Sequence, residues 1–126
     1  MMTTLLFSCS DDSQFKFAAN FQNKHGVKEG ESYKYENNTM YLTRQIDAEF
    51  YQAIKTCEED ETCKASVAET WIEEQKQALA QGNVVAGLLC DLYKCGKKWV
   101  EVYENKETGE RIEVEYPLDW TAGLDN

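Results

Sequence analysis

"TMYLTRQIDAEFYQAIKTC", residues 39–57, carries Leu42, Ile46, Phe50, Ile54 and Cys57 at intervals of three and four. That spacing predicts one amphipathic helix running on from Thr39, with a single apolar stripe turned to a core. The flanking segments take their meaning from it. Upstream, "VKEGESYKYENN" (27–38) holds two glycines and no periodicity, so residues 1–38 read as an N-terminal segment and linker. Within them, "SDDSQFKFAANFQNKHG" (10–26) fits a short helix, started by Asp12 or Ser13 and ended by a left-handed Gly26. The alternation of "FKF" fits a strand equally well.

Downstream, after "EEDET" (58–62), Ala65, Ala68, Trp71, Ile72, Gln75 and Leu79 continue a helical face to Gln81. Gly82 breaks it, and Asn83 is placed to cap a third helix. Val84, Val85, Leu88, Leu89 and Leu92 make that helix the most apolar, hence a core element, and Gly96 closes it. The period then changes from helical to alternating. "KKWVEVYENKETGERIEVEYP" (97–117) reads as two strands around a turn, a hairpin signal, with Pro117 ending the second strand. In this reading Val100 and Val102 share a face with Ile112, Val114 and Tyr116. Trp99, Glu101, Tyr103, Arg111, Glu113 and Glu115 then form an exposed acidic–aromatic face. The expected architecture is α+β: one domain, 1–126, with a helical body of three or four helices, centred on 39–96, and a C-terminal hairpin and tail, 97–126.

The formal charge of −10, from 23 acidic and 13 basic residues, weighs against nucleic acid and anionic membrane surfaces. It favours encounter with a basic protein, and aromatics among charges are typical interface material. No stretch approaches the roughly 18 apolar residues of a membrane span. Leu6-Phe7-Ser8-Cys9 resembles a lipoprotein cleavage box, which would make Cys9 a lipidation site. It lacks the basic region and the apolar run of about 7–15 residues that a working signal has.

Catalytic chemistry finds little to build on. The one histidine, His25, sits beside Gly26 at a loop edge, and no phosphate-binding glycine loop or nucleophile elbow is present. No enzyme, cofactor or metal is expected. Cys57 and Cys63 are separated by five residues, wider than the two to four of most zinc knuckles, and Cys90 and Cys95 by four; neither pair is a CxxC redox motif. Two local disulfides or two reduced pairs remain, with Cys9 left over. The paired arrangement favours disulfides. Residues six apart on one unbroken helix lie beyond the roughly 7 Å that a bridge tolerates, so a Cys57–Cys63 bridge requires "EEDET" to be a turn. Asn37-Asn38-Thr39 also matches a glycosylation acceptor, which matters only in a eukaryotic secretory chain.

From Tyr35 to about Lys98 the chain resembles the region just upstream of the toxin in contact-dependent growth-inhibition and haemagglutinin-repeat effectors. Those proteins carry a Val-Glu-Asn-Asn marker, then helical segments with cysteine pairs around short acidic turns. Here the corresponding residues are Tyr35, Glu36, Asn37 and Asn38, then "CEEDETC" (57–63) and "CDLYKC" (90–95). Tyr35 stands where the family has valine, and too few residues follow Cys95 for a nuclease. The resemblance implies a non-catalytic, secreted or periplasm-exposed delivery or interaction module of a toxin system. Two further readings are an acidic immunity or inhibitor protein, which would be cytoplasmic, and an exported lipoprotein anchored at Cys9. The oligomeric state is not legible in the sequence.

Overall fold

The computed structural model describes Cys9 and residues 11–124. Among these, the elements run α1 (Ser13–His25), β1 (Glu31–Glu36), β2 (Thr39–Ile46), α2 (Ala48–Glu58), α3 (Glu61–Ala80), α4 (Val84–Lys94), β3 (Lys98–Asn105) and β4 (Arg111–Tyr116), followed by a 3-10 helix, Asp119–Leu124. The α+β class and the C-terminal hairpin are as expected. The sheet is larger than expected, because two strands lie before the helical body and join the hairpin in the order β1-β2-β3-β4.

The difference traces to residues 27–57. A spacing of four, as between Leu42 and Ile46, fits a period of 3.6 and a period of 2 alike. The intervening residues decide for the strand. Met40, Leu42 and Ile46 are buried while Tyr41, Thr43 and Gln45 are not, and aromatic and β-branched residues suit a pleated surface. Asp47 then starts α2: its carboxylate accepts from the Phe50 N–H at 2.7 Å. The expected stripe is therefore cut in two, and Phe50 is largely exposed.

The supposed linker is also structured. Asn37 and Asn38 have φ of 54° and 61°, the left-handed pair that a two-residue hairpin turn needs, and they join β1 to β2. Asparagine tolerates that region better than other residues with a Cβ. "YENN" is thus the end of one strand and its turn. Asn38 is held further by Lys97, whose Nζ donates to Asn38 Oδ1 at 2.8 Å. Gly26 does end α1, but with φ of −122° rather than in the left-handed region.

β2 and β3 are parallel neighbours, so the chain must cross over between them, and α2, α3 and α4 make that crossover. Asp60 caps α3, accepting from Thr62 N and Cys63 N, so α2 and α3 are separate helices with "EEDET" around the turn. Asn83 caps α4 through Ala86 N, as its position predicted.

One core lies between the helices and one face of the sheet. The sheet supplies Tyr35, Met40, Leu42, Trp99, Tyr103, Val114 and Tyr116; the helices supply Phe15, Tyr51, Trp71, Leu89 and Leu92. Val100 and Val102 point the other way, opposite Glu115 and Glu113 in register. They are nonetheless buried, flanked by Tyr41 and Thr43 of β2.

The turn makes a direct prediction. Replacing Asn37 by glycine leaves stability within a few tenths of a kcal/mol, whereas Asn37→Val loses about 1–2 kcal/mol because a β-branched residue is strained at positive φ. Urea unfolding of both variants checks this.

Candidate functional site: the buried Glu101 cluster and the sheet edges

The expected acidic–aromatic face is divided by the pleat. The register pairs Trp99 with Tyr116, Glu101 with Val114 and Tyr103 with Ile112, so all six side chains share the inner face. Trp99, Glu101 and Tyr103 are buried. They cannot meet a partner from the outside, and this part of the expectation is corrected. The alternation misled because β3 is a central strand buried on both faces, so its valines do not mark the inner one. Arg111, Glu113 and Glu115 remain exposed on β4.

Glu101 instead organises the interior. Its carboxylate, in a side chain only 3% exposed, sits under the helices. Oε1 accepts from Arg44 Nη1 at 3.0 Å and from the Tyr103 hydroxyl at 2.9 Å. Oε2 accepts from the indoles of Trp71 at 3.1 Å and Trp99 at 3.0 Å. The Tyr103 proton is committed to Glu101, so at 3.0 Å Tyr116 donates to Tyr103. Arg44 also forms an ion pair with Glu31, Nε to Oε2 at 3.3 Å. The Trp71 ring stacks on Tyr116 at 4.6 Å, and Trp120 meets it edge-on at 6.2 Å.

The groups come from four elements: Arg44 from β2, Trp71 from α3, Trp99 and Tyr103 from β3, and Tyr116 from β4. Burying a carboxylate costs several kcal/mol unless it is paired and fully hydrogen-bonded. Four charged or polar donors supply that compensation and occupy the acceptor positions. The cluster is therefore built to hold the fold, with no lone pair left aimed at a cleft. Burial opposes the charge of Arg44, but the nearby Glu101, Tyr103, Glu31 and Tyr33 outweigh it and raise its pKa. Burial, followed by the charge of Glu31, pushes Tyr33 up to about 12. Burial also raises Tyr103 and Tyr116 above the ordinary phenol range.

The cysteines pair differently from expectation. Cys57 and Cys63 are bridged, with Cα atoms 5.3 Å apart across the α2–α3 turn. Cys95, however, is bonded to Cys9 and not to Cys90, linking positions 86 apart in sequence. Cys90 lies within α4, where the continuing helix keeps its Cα away from Cys95; Cys90 takes part in neither bridge. The same bond removes Cys9 as a leftover thiol and as a lipid anchor, since one sulfur cannot serve both a disulfide and a thioether. Residues 1–8, which include most of the lipoprotein-like box, lie outside the described residues. His25 stands at the end of α1 against the Phe21 ring. No group of three or more metal-binding side chains converges among the described residues. No helix among them is long and apolar enough to cross a membrane.

The edges of the sheet are unequal. At the β1 edge, Asn23 of α1 accepts from Tyr33 N at 2.6 Å and donates to Tyr33 O at 2.8 Å, which occupies that backbone as a neighbouring strand would. At the other edge, beyond β4, a groove of about 230 Å³ runs beside α3, lined among others by Glu61, Ala65, Ala68, Val114, Glu115 and Tyr116. Compared with protein-family models, with curated proteins and with solved structures, the chain matches none.

Two outcomes follow for the cluster. Glu101→Gln replaces one acceptor oxygen by an amide donor facing other donors and removes the buried one of the two countercharges of Arg44. It lowers unfolding free energy by about 3 kcal/mol, read from urea unfolding by tryptophan fluorescence. Stability also falls at alkaline pH. The unfolded chain releases phenolic protons near pH 10, while the folded chain keeps that of Tyr33 to about 12, so between these values rising pH favours unfolding. Absorbance at 295 nm will show these tyrosines ionising together with loss of structure, not before it.

Proposed function

We propose that the chain is a non-enzymatic interaction module of a bacterial toxin system, stapled by disulfides and acting outside the reducing cytoplasm on a basic protein partner. The observation that carries this reading is the pair of bridges, Cys9–Cys95 and Cys57–Cys63. Disulfides persist in oxidising compartments and are rare in the cytosol. By loop length the longer bridge contributes about 4–5 kcal/mol and the shorter about 2–3 kcal/mol, a large share of a small domain's stability. The delivery-module reading therefore fits better than a cytoplasmic immunity protein, although both use the same docking chemistry. That chemistry is the charge of −10, with Glu113 and Glu115 exposed on β4. The closed acidic neck at 57–63 is one of the three motifs on which the toxin-region resemblance rests; in the second cysteine pair, Cys95 is bonded to Cys9 instead of Cys90.

The compartment is tested by mass spectrometry of protein exported to the periplasm and kept non-reduced. One thiol, on Cys90, and the two bridges named above are expected; three or five thiols would overturn the disulfide part. The partner is tested by co-expression with the products of the flanking genes. A basic product should bind with an affinity that falls at least about tenfold from low to high salt. Binding indifferent to salt, or none to any basic neighbour, argues against the docking part.

A further inference from the structure

We infer that the free edge of β4 is a strand-addition site, taking an extended basic segment of a protein partner as a fifth strand beside α3. The inference rests on the basic-partner reading above and specifies where and how that partner is held.

The backbone geometry comes first. Asn105 N donates to Glu110 O at 2.8 Å, which makes these opposed residues a hydrogen-bonded pair. Such pairs alternate along an antiparallel ladder. By that alternation Ile112, Val114 and Tyr116 exchange bonds with β3, while the N–H and C=O groups of Arg111, Glu113 and Glu115 point outward. All three residues are exposed, and no backbone partner engages them among the described residues. The same rule places Tyr33 outward on β1, and there Asn23 occupies the groups. One edge is thus closed by a side chain and the other is left open, with a groove alongside it.

The chemistry of the occupant follows from the two faces. A residue opposite Glu113 or Glu115 puts its side chain on the outer face beside those carboxylates. The next residue turns inward, toward Ala65, Ala68, Val114 and Tyr116. Lys64 is within 4.0 Å of Glu58, whereas Glu61, Glu113 and Glu115 have no ion-pair partner among the described residues. An extended segment alternating Lys or Arg with a small apolar residue satisfies both faces. A second copy of this chain fits less well: β4 paired with itself about Glu113 sets Arg111 against Glu115 but Glu113 against its own copy, and it leaves no lysine or arginine for Glu113.

The probe is the blocked hexapeptide Lys-Val-Lys-Val-Lys-Val, followed by nuclear magnetic resonance of the intact oxidised protein. Binding is expected to shift the amides of Arg111, Glu113 and Glu115 and slow their hydrogen exchange. Added antiparallel to β4, as β3 is on the other side, the peptide turns its lysine N–H groups to the edge, so methylating them weakens binding about tenfold or more while keeping the charge. Glu113→Pro removes an outward N–H without touching the ladder and weakens binding beyond the effect of Glu113→Gln. Should the proline variant not fold, the methylated peptide still decides. Equal binding of methylated and unmethylated peptide overturns strand addition and leaves acidic docking standing. Absence of peptide binding overturns it too, and a salt-sensitive basic partner found by co-expression would then show that the broader reading survives. Loss of both removes both.

Discussion

The Glu101 carboxylate gathers two indoles, a phenol and a guanidinium from β2, β3 and α3 under the helical layer. A charge in that position is tolerable only when every donor is in place. The helical crossover, the parallel pairing of β2 with β3 and the stacking of Trp71 on Tyr116 must therefore be correct together. A purely apolar core accepts small shifts of register; a buried carboxylate with four directional partners does not. The cluster fixes which face of β3 looks inward.

The disulfides secure what the cluster does not reach. Cys57–Cys63 holds the neck of the α2–α3 hairpin, where each helix presents few buried residues. Cys9–Cys95 ties the segment before α1 to the end of α4, next to the Asp12–Lys97 ion pair. With Asn23 closing the β1 edge, α1 is bound to the sheet by packing, hydrogen bonds and a covalent link. Among the described residues the β4 side has no comparable closure. That asymmetry leaves main-chain groups of β4 open to a partner, beside carboxylates that have no ion-pair partner among those residues.

The helices of the crossover, the cap at Asn83 and the C-terminal hairpin were legible because local periodicity and capping residues determine them. The first hairpin was not. Its apolar residues recur at a spacing that strand and helix share, and its turn uses asparagines where glycine is the stronger signal. Two local cues were available: Asp47 as a helix start, and Asn37-Asn38 followed by alternating residues. The site was less legible still. Glu101 lies among glutamates of ordinary spacing, and its donors come from 57 positions upstream to 2 downstream.

By itself the sequence determined the charge, the mixed class, most helix limits and the requirement that a Cys57–Cys63 bridge break the helix between them. These follow from local chain geometry and composition. Only the tertiary structure decided that residues 39–46 join a sheet, that Cys95 meets Cys9 rather than Cys90, and that Glu101 faces inward. The reason is the same in each case. Strand pairing, long-range disulfides and the inner face of a doubly buried strand are set by neighbours distant in the chain, which a local pattern does not contain.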